Sequence, residues 1–72
     1  METEIIKNPL SERELEIMQL VSIGKLNKEI ADDLDVHTTT VKKHLQNIYP
    51  KLRVQNRTEA SIKFMEITGR LK

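Results

Sequence analysis

Val41, Leu45, Ile48 and Leu52 recur at intervals of four, three and four residues, a spacing that puts all four on one stripe of an α-helix. At about 100° per residue the pole opposite that stripe carries Thr39, Lys43, Gln46 and Pro50, with Lys42 and Asn47 on its flanks. One side of the predicted helix is therefore built for a core, and the other is basic and rich in amides. Lys can read guanine O6 and N7, Gln and Asn can read adenine N6 and N7, and Thr can bond a phosphate or touch a thymine methyl. The same residue types also make an ordinary solvated helix face.

Charge follows the same division. Residues 1–36 hold four basic and nine acidic side chains (net −5), residues 37–57 hold five basic and none acidic (+5), and residues 58–72 come to +1. The near-neutral total of +1 hides a dipolar chain. Positive charge gathered on one element is the electrostatic footprint of a nucleic-acid-binding surface.

A chain of 72 residues forms one domain, and at that size folding buries only about 60 % of the unfolded surface, which leaves little room for an enclosed active site. There is no Cys, so disulfides, thiolate zinc sites and thiol nucleophiles are excluded. No apolar run approaches the roughly 18 residues needed to cross a bilayer, and METEIIKNP does not read as a signal peptide. The expectation is a cytoplasmic protein with no membrane partner.

The first nine residues end in Asn8-Pro9, a turn-forming pair, and read as a tail or linker, with the domain spanning 10–72. Ser11 and Glu14 form a capping box, so the first helix is predicted to begin at Glu12 and to stop before Gly24. Its core side would hold Glu14, Ile17, Met18, Leu20 and Val21, with Leu15 and Ile23 near the opposite side as scattered surface apolars or a contact patch. Asn27 is predicted to cap a short helix that runs through Leu34 and turns Ile30, Ala31 and Leu34 inward. Asp35-Val36-His37 leaves only a tight connection before the basic helix, which gives a helix-turn-helix arrangement. Asn56 and Glu59 mark the start of a last helix, Gly69 its end, and Ala60, Phe64, Ile67 and Leu71 its inward stripe. No strand-like alternation, repeat or low-complexity segment is found. The predicted fold is all-α, a four-helix helix-turn-helix domain.

The run L10-S-E-R-E, G24, N27-K-E-I-A31, T40-V-K, H44-L, I48, K51-L, V54-Q-N-R-T-E-A60 resembles the LuxR/GerE-type DNA-binding domain of bacterial transcription regulators, over about residues 10–67. The resemblance implies four helices of the winged-helix superfamily type without a wing, the second and third forming the DNA-reading pair and the fourth commonly a dimer contact. By aligned position it places Lys42, Lys43 and Gln46 at base edges, joined by Thr39 from the wheel. It places Asn27, Lys28, Thr40 and Lys51 at phosphates, and Thr38, His44 and Asn47 are assigned to the same contact class. His44 suits either a partly buried flank of the Val41 stripe or a phosphate contact. Glu14 matches a characteristic acidic position and is expected to pair with a basic residue of a neighbouring helix.

The chain also departs from the family pattern. Leu26 and His37 stand where Ser or Thr commonly caps a helix, leaving Thr38 as a substitute cap for the basic helix. Asp35 and Arg53 stand where Gly commonly closes one; Asp tolerates the left-handed conformation, whereas Arg there costs about 1 kcal/mol. Pro50 is expected to bend or end the basic helix early, because it lacks the N–H that would bond the Gln46 carbonyl and it pushes Tyr49 away from helical angles.

The leading functional expectation is a sequence-specific DNA-binding transcription regulator with its basic helix in the major groove of double-stranded DNA. It would act as a homodimer on DNA through Thr58, Ser61, Ile62 and Met65 of the last helix, with RNA polymerase or another regulator as a further partner. Region 4 of a sigma factor shares the LSERE, EIA and TVK pattern, but HLQNI and NRTEA favour the LuxR/GerE reading. A third possibility is a protein-interaction module that keeps the fold and pairs with another regulator. Catalysis is not expected: His37 and His44 are seven apart with no acidic residue between them, Ser11 is explained as a cap, and no Gly-rich phosphate loop is present. No cofactor or metal is expected.

Overall fold

Both ends of the first and last helices are set by local chemistry. The computed structural model describes residues 9–69, and within them the chain forms α1 (Glu12–Ser22), α2 (Asn27–Leu34), α3 (Thr38–Leu52) and α4 (Arg57–Thr68). At the head of α1 the Glu14 N–H donates to the Ser11 hydroxyl at 3.2 Å while the Ser11 N–H donates to the Glu14 carboxylate at 2.9 Å. Two of the helix's orphan donors are thereby satisfied. At the head of α4 the Glu59 N–H donates to the Asn56 side-chain oxygen at 2.9 Å, and the Glu59 carboxylate accepts from the Gln55 N–H at 2.9 Å. Gly24 (φ 93°) and Gly69 (φ 75°) close the two helices in the left-handed region that glycine enters without strain.

The middle pair behaves differently. The residue flanking α2 at its start is Leu26, which has no acceptor, so Asn27 is the first helical residue and not the predicted cap. Local help comes from the Glu29 carboxylate, which accepts from the Leu26 N–H at 2.7 Å. At α3 the flanking residue is His37, without a side-chain cap bond, and the helix begins at Thr38, so Thr38 does not replace the missing cap. The C-terminal ends are closed by non-glycine residues, Asp35 (φ 57°) and Arg53 (φ 59°). Each is held by a pair of backbone bonds: Val36 N–H to Ala31 O at 2.9 Å with Asp35 N–H to Asp32 O at 3.3 Å, and Val54 N–H to Tyr49 O at 3.0 Å with Arg53 N–H to Pro50 O at 3.1 Å. This double closure satisfies carbonyls that would otherwise be orphaned.

Pro50 does not end α3, which continues to Leu52 with Tyr49 still helical. The proline forfeits its own bond to the Gln46 carbonyl, but burial of Leu52 together with the closure at Arg53 holds the last turn in place.

The inward faces meet in one core. Ile17, Met18 and Val21 of α1, Ile30 and Ala31 of α2, the whole Val41, Leu45, Ile48 and Leu52 stripe of α3, and Ala60 and Phe64 of α4 are buried, with Leu10 beside them. Phe64 alone contributes on the order of 2–3 kcal/mol by leaving water. α1 packs against α4 and α3, and α2 lies along α3. The α2–α3 pair is thus carried on the α1–α4 pair, with the polar face of α3 left outward. Leu15 does not lie on a free surface as the sequence suggested: it is half-buried and packs on the core, while Ile23 is exposed. Leu34 and Ile67 pack at the core's edge, whereas Leu71 and most of the predicted tail lie outside the described residues. Among the described residues no helix is long and apolar enough to cross a membrane, and no group of His, Cys, Asp or Glu is arranged to hold a metal ion.

Candidate nucleic-acid interface

The core stripe of α3 fixes which of its side chains face out. Because Val41, Leu45, Ile48 and Leu52 are buried, Thr39, Lys42, Lys43, Gln46 and Asn47 are left exposed, with Thr38, Thr40 and His44 half-buried at the edges. Lys42 and Lys43 have no ion-pair partner among the described residues, where the pairs are Arg13–Glu16, Lys25–Asp33 and Lys51–Glu14. Their charges face solvent uncompensated, and no acidic residue lies anywhere in 37–57 to offset them. Lys28, in the first turn of α2, is likewise exposed and unpaired among the described residues.

Lys51 is engaged differently. Its ammonium donates to both oxygens of the Glu14 carboxylate, at 2.9 and 3.0 Å. Glu14 is buried, only 5 % exposed, and Lys51 is the basic partner on a neighbouring helix that the sequence left unnamed. Burial pushes the Glu14 carboxyl up. Opposing it are the Lys51 hydrogen bond, the Ser11 N–H, the Lys51 charge and the Ser11 hydroxyl, which together bring the carboxyl below its ordinary value. The pair ties α1 to the last turn of α3 and takes up the charge that the sequence assigned to a phosphate.

Between the start of α2 and the middle of α3 lies a shallow cleft of about 230 Å³ lined by Asn27, Lys42, Leu45, Gln46 and Tyr49. Three side chains from the predicted interface, Asn27, Lys42 and Gln46, are thereby brought to one depression beside Leu45 and Tyr49. Tyr49, half-buried against the core, was not singled out from the sequence for such a place. Arg57 was also missed as a site residue: it was read as charge and as part of the NRTEA motif, yet it bonds the Asn27 side chain at 2.7 Å. Nothing in local spacing signals a contact made across thirty residues. On the outer side of α4, Ile62 is 48 % exposed, Thr58 is exposed, and Ser61 and Met65 are half-buried. A groove beside them is lined by Arg53, Val54, Glu59, Ile62, Lys63 and Glu66.

Comparison with known proteins agrees with this geometry. Residues 8–64 match the family model described as bacterial regulatory proteins, luxR family. The chain is 44% identical over 55 residues to the HTH-type transcriptional regulator MalT of Vibrio campbellii, a match covering 76% of this chain and 6% of the relative. It is 45% identical over 53 residues to MalT of Vibrio cholerae, covering 74% of this chain and 6% of the relative. With MalT of Yersinia pestis it shares 45% identity over 58 residues, covering 79% and 6%. The match therefore spans only about 6% of the length of these relatives. Four helices without a strand among the described residues, the α2–turn–α3 unit and the match across most of the chain lead to one conclusion: the chain belongs to the luxR family of bacterial regulatory proteins.

Proposed function

We propose that this domain binds double-stranded DNA with α3 in the major groove and serves as the sequence-reading part of a cytoplasmic transcription regulator. The observation that carries this reading is the exposed, uncompensated Lys42–Lys43 pair beside Gln46 on the outward face of α3. Lys42, Lys43, Gln46 and Thr39 would meet base edges, since cationic and amide side chains match the donor and acceptor pattern of the major groove. Lys28, Asn27, Thr38, Thr40, His44 and Asn47 would meet phosphates and set the register. Lys51 would contribute less there, because Glu14 already holds its ammonium.

A second copy would dock on α4 through Ile62 and Met65, with Thr58 and Ser61 allowing close approach. Helix-turn-helix domains commonly occupy two half-sites as symmetric dimers, and the exposure of Ile62 supports this face. The patch is small, so dimerisation would be weak in free solution and strengthened where one duplex holds both copies. RNA polymerase or another regulator would then be met by faces other than α3.

The test is selection from a random duplex library followed by titration of the selected site and of a scrambled duplex. Replacing Lys42, Lys43 or Gln46 by Ala is expected to cost roughly 1–3 kcal/mol on the selected site and to relax preference there. Lys28→Ala is expected to weaken both duplexes alike and to lower the salt slope by about one. Equal losses on both duplexes from the three α3 variants would remove α3 as the reader. Ile62→Glu with Met65→Glu is expected to abolish cooperative two-copy binding while half-site binding remains; persistent cooperativity would move the dimer contact elsewhere.

A further inference from the structure

Arg57 opens α4 and Asn27 opens α2. The Arg57 Nη1 donates to Asn27 Oδ1 at 2.7 Å, and its Nη2 donates to the Lys25 carbonyl. Arg57, Asn27 and Lys25 are all half-buried. One guanidinium thus clamps the turn between α1 and α2 at two points, using the planar fork that Lys cannot present.

The clamp also decides which way the Asn27 amide faces. A guanidinium carries donors and no acceptor, so Asn27 can meet it only through its oxygen. The Asn27 NH2 is then turned away from Arg57, and no protein group accepts from it among the described residues. Asn27 at the same time lines the cleft shared with Lys42, Leu45, Gln46 and Tyr49, on the side of the molecule where α3 turns its polar face out. We infer that Arg57 is a positioning residue for DNA: without touching the duplex, it holds the Asn27 NH2 outward as a donor to a backbone phosphate oxygen. A phosphate is the partner that fits a group presented as donor only, since its free oxygens are acceptors, and Lys28 beside it supplies the positive charge. The inference rests on the DNA reading above and adds to it a residue outside the helix-turn-helix unit.

The probe is a short random-sequence duplex, because a phosphate contact is independent of sequence. In a double-mutant cycle, Asn27→Ala is expected to weaken binding about tenfold, the worth of one hydrogen bond to a charged group. Arg57→Ala is expected to cost about the same in the native background and less than twofold when Asn27 is already Ala. The salt slope should be unchanged by Arg57→Ala, whereas loss of a residue that itself neutralises a phosphate lowers it by about one. Asn27→Asp keeps the acceptor for Arg57 and removes the donor, so it should retain the melting temperature and lose at least tenfold in affinity. Additive losses in the cycle, a lowered salt slope for Arg57→Ala, or native affinity in Asn27→Asp would each overturn the positioning role while the DNA reading stood. A native protein that binds no duplex would overturn both.

Discussion

The two outer helices and the two inner ones solve the same problem in opposite ways. α1 and α4 are capped by their own neighbouring side chains, Ser11 with Glu14 and Asn56 with Glu59, and end at glycines. α2 and α3 start behind Leu26 and His37, which offer no cap bond, and end at Asp35 and Arg53 in the left-handed region. Local backbone bonds close their C-terminal ends, and two further ties come from elsewhere: Arg57 clamps the turn leading into α2, and Lys51 pins the last turn of α3 to Glu14 on α1. The difference teaches that the scaffold pair is locally determined, while the pair that presents the polar face relies on tertiary ties. That division can be broken at the ties and sharpened at the caps.

The largest effect is expected at the Glu14–Lys51 tie. Lys51→Met leaves a buried carboxylate without its ammonium and should cost roughly 1–3 kcal/mol at neutral pH, the lower part of that range reflecting the partial exposure of Lys51. The sign with pH follows from the lowered Glu14 carboxyl. Its contribution is present above the ordinary carboxylate value and is lost as pH falls through the lowered one. Urea titrations should therefore show the gap between native and variant protein closing as pH falls through the carboxylate range. A gap independent of pH would mean that Lys51 acts through packing alone.

Next in size is Pro50. Its place in the last turn of α3 forfeits the bond to the Gln46 carbonyl, while the rigid ring lowers the entropy of the unfolded chain. Pro50→Lys is expected to stabilise by about 2 kcal/mol, the helix-interior proline cost less the unfolded-state entropy, and to raise the melting temperature; a decrease would show that the closure at Arg53 depends on the proline. Arg53→Gly removes the left-handed strain and should add about 1 kcal/mol, detectable as a higher urea midpoint with an unchanged slope.

The smallest effects compare the caps directly. Leu26→Thr and His37→Ser should each stabilise by about 0.5–1 kcal/mol by supplying the missing acceptors, whereas Ser11→Ala and Asn56→Ala should destabilise by a similar amount. Gains as small as the noise at both inner positions would show that solvent already satisfies the N–H groups at those helix starts.

The same contrast explains what could be read in advance. The bounds of α1 and α4, the four-residue stripe of α3 and its exposed Lys42, Lys43 and Gln46 follow from spacing and capping within a few residues of one another. The start of α2 at Asn27 behind an uncapped Leu26, the half-buried setting of Leu15 and the continuation of α3 through Pro50 did not follow. At Leu15 and in the last turn of α3 a weak or adverse local preference competes with burial against helices distant in sequence, and burial of Leu15 and of Leu52 prevails; at α2 the exposed Leu26 offers no acceptor, so the helix begins one residue on without a side-chain cap. Of the candidate interface, the residue types on the outer face of α3 were legible, while the cleft they share with Asn27 and Tyr49 was not.

The sequence alone determined that there would be four helices, that the Val41, Leu45, Ile48 and Leu52 stripe would be buried, and that positive charge would gather on the opposite face, because periodicity, caps and formal charge are properties of neighbours in the chain. Only the tertiary structure decided that Lys51 would pair with Glu14 while Lys42 and Lys43 had no ion-pair partner among the described residues, and that Arg57 would hold the Asn27 side-chain oxygen. Those outcomes depend on which side chains meet across 37 and 30 residues of chain. Packing of the whole core, and no local rule, sets that distance.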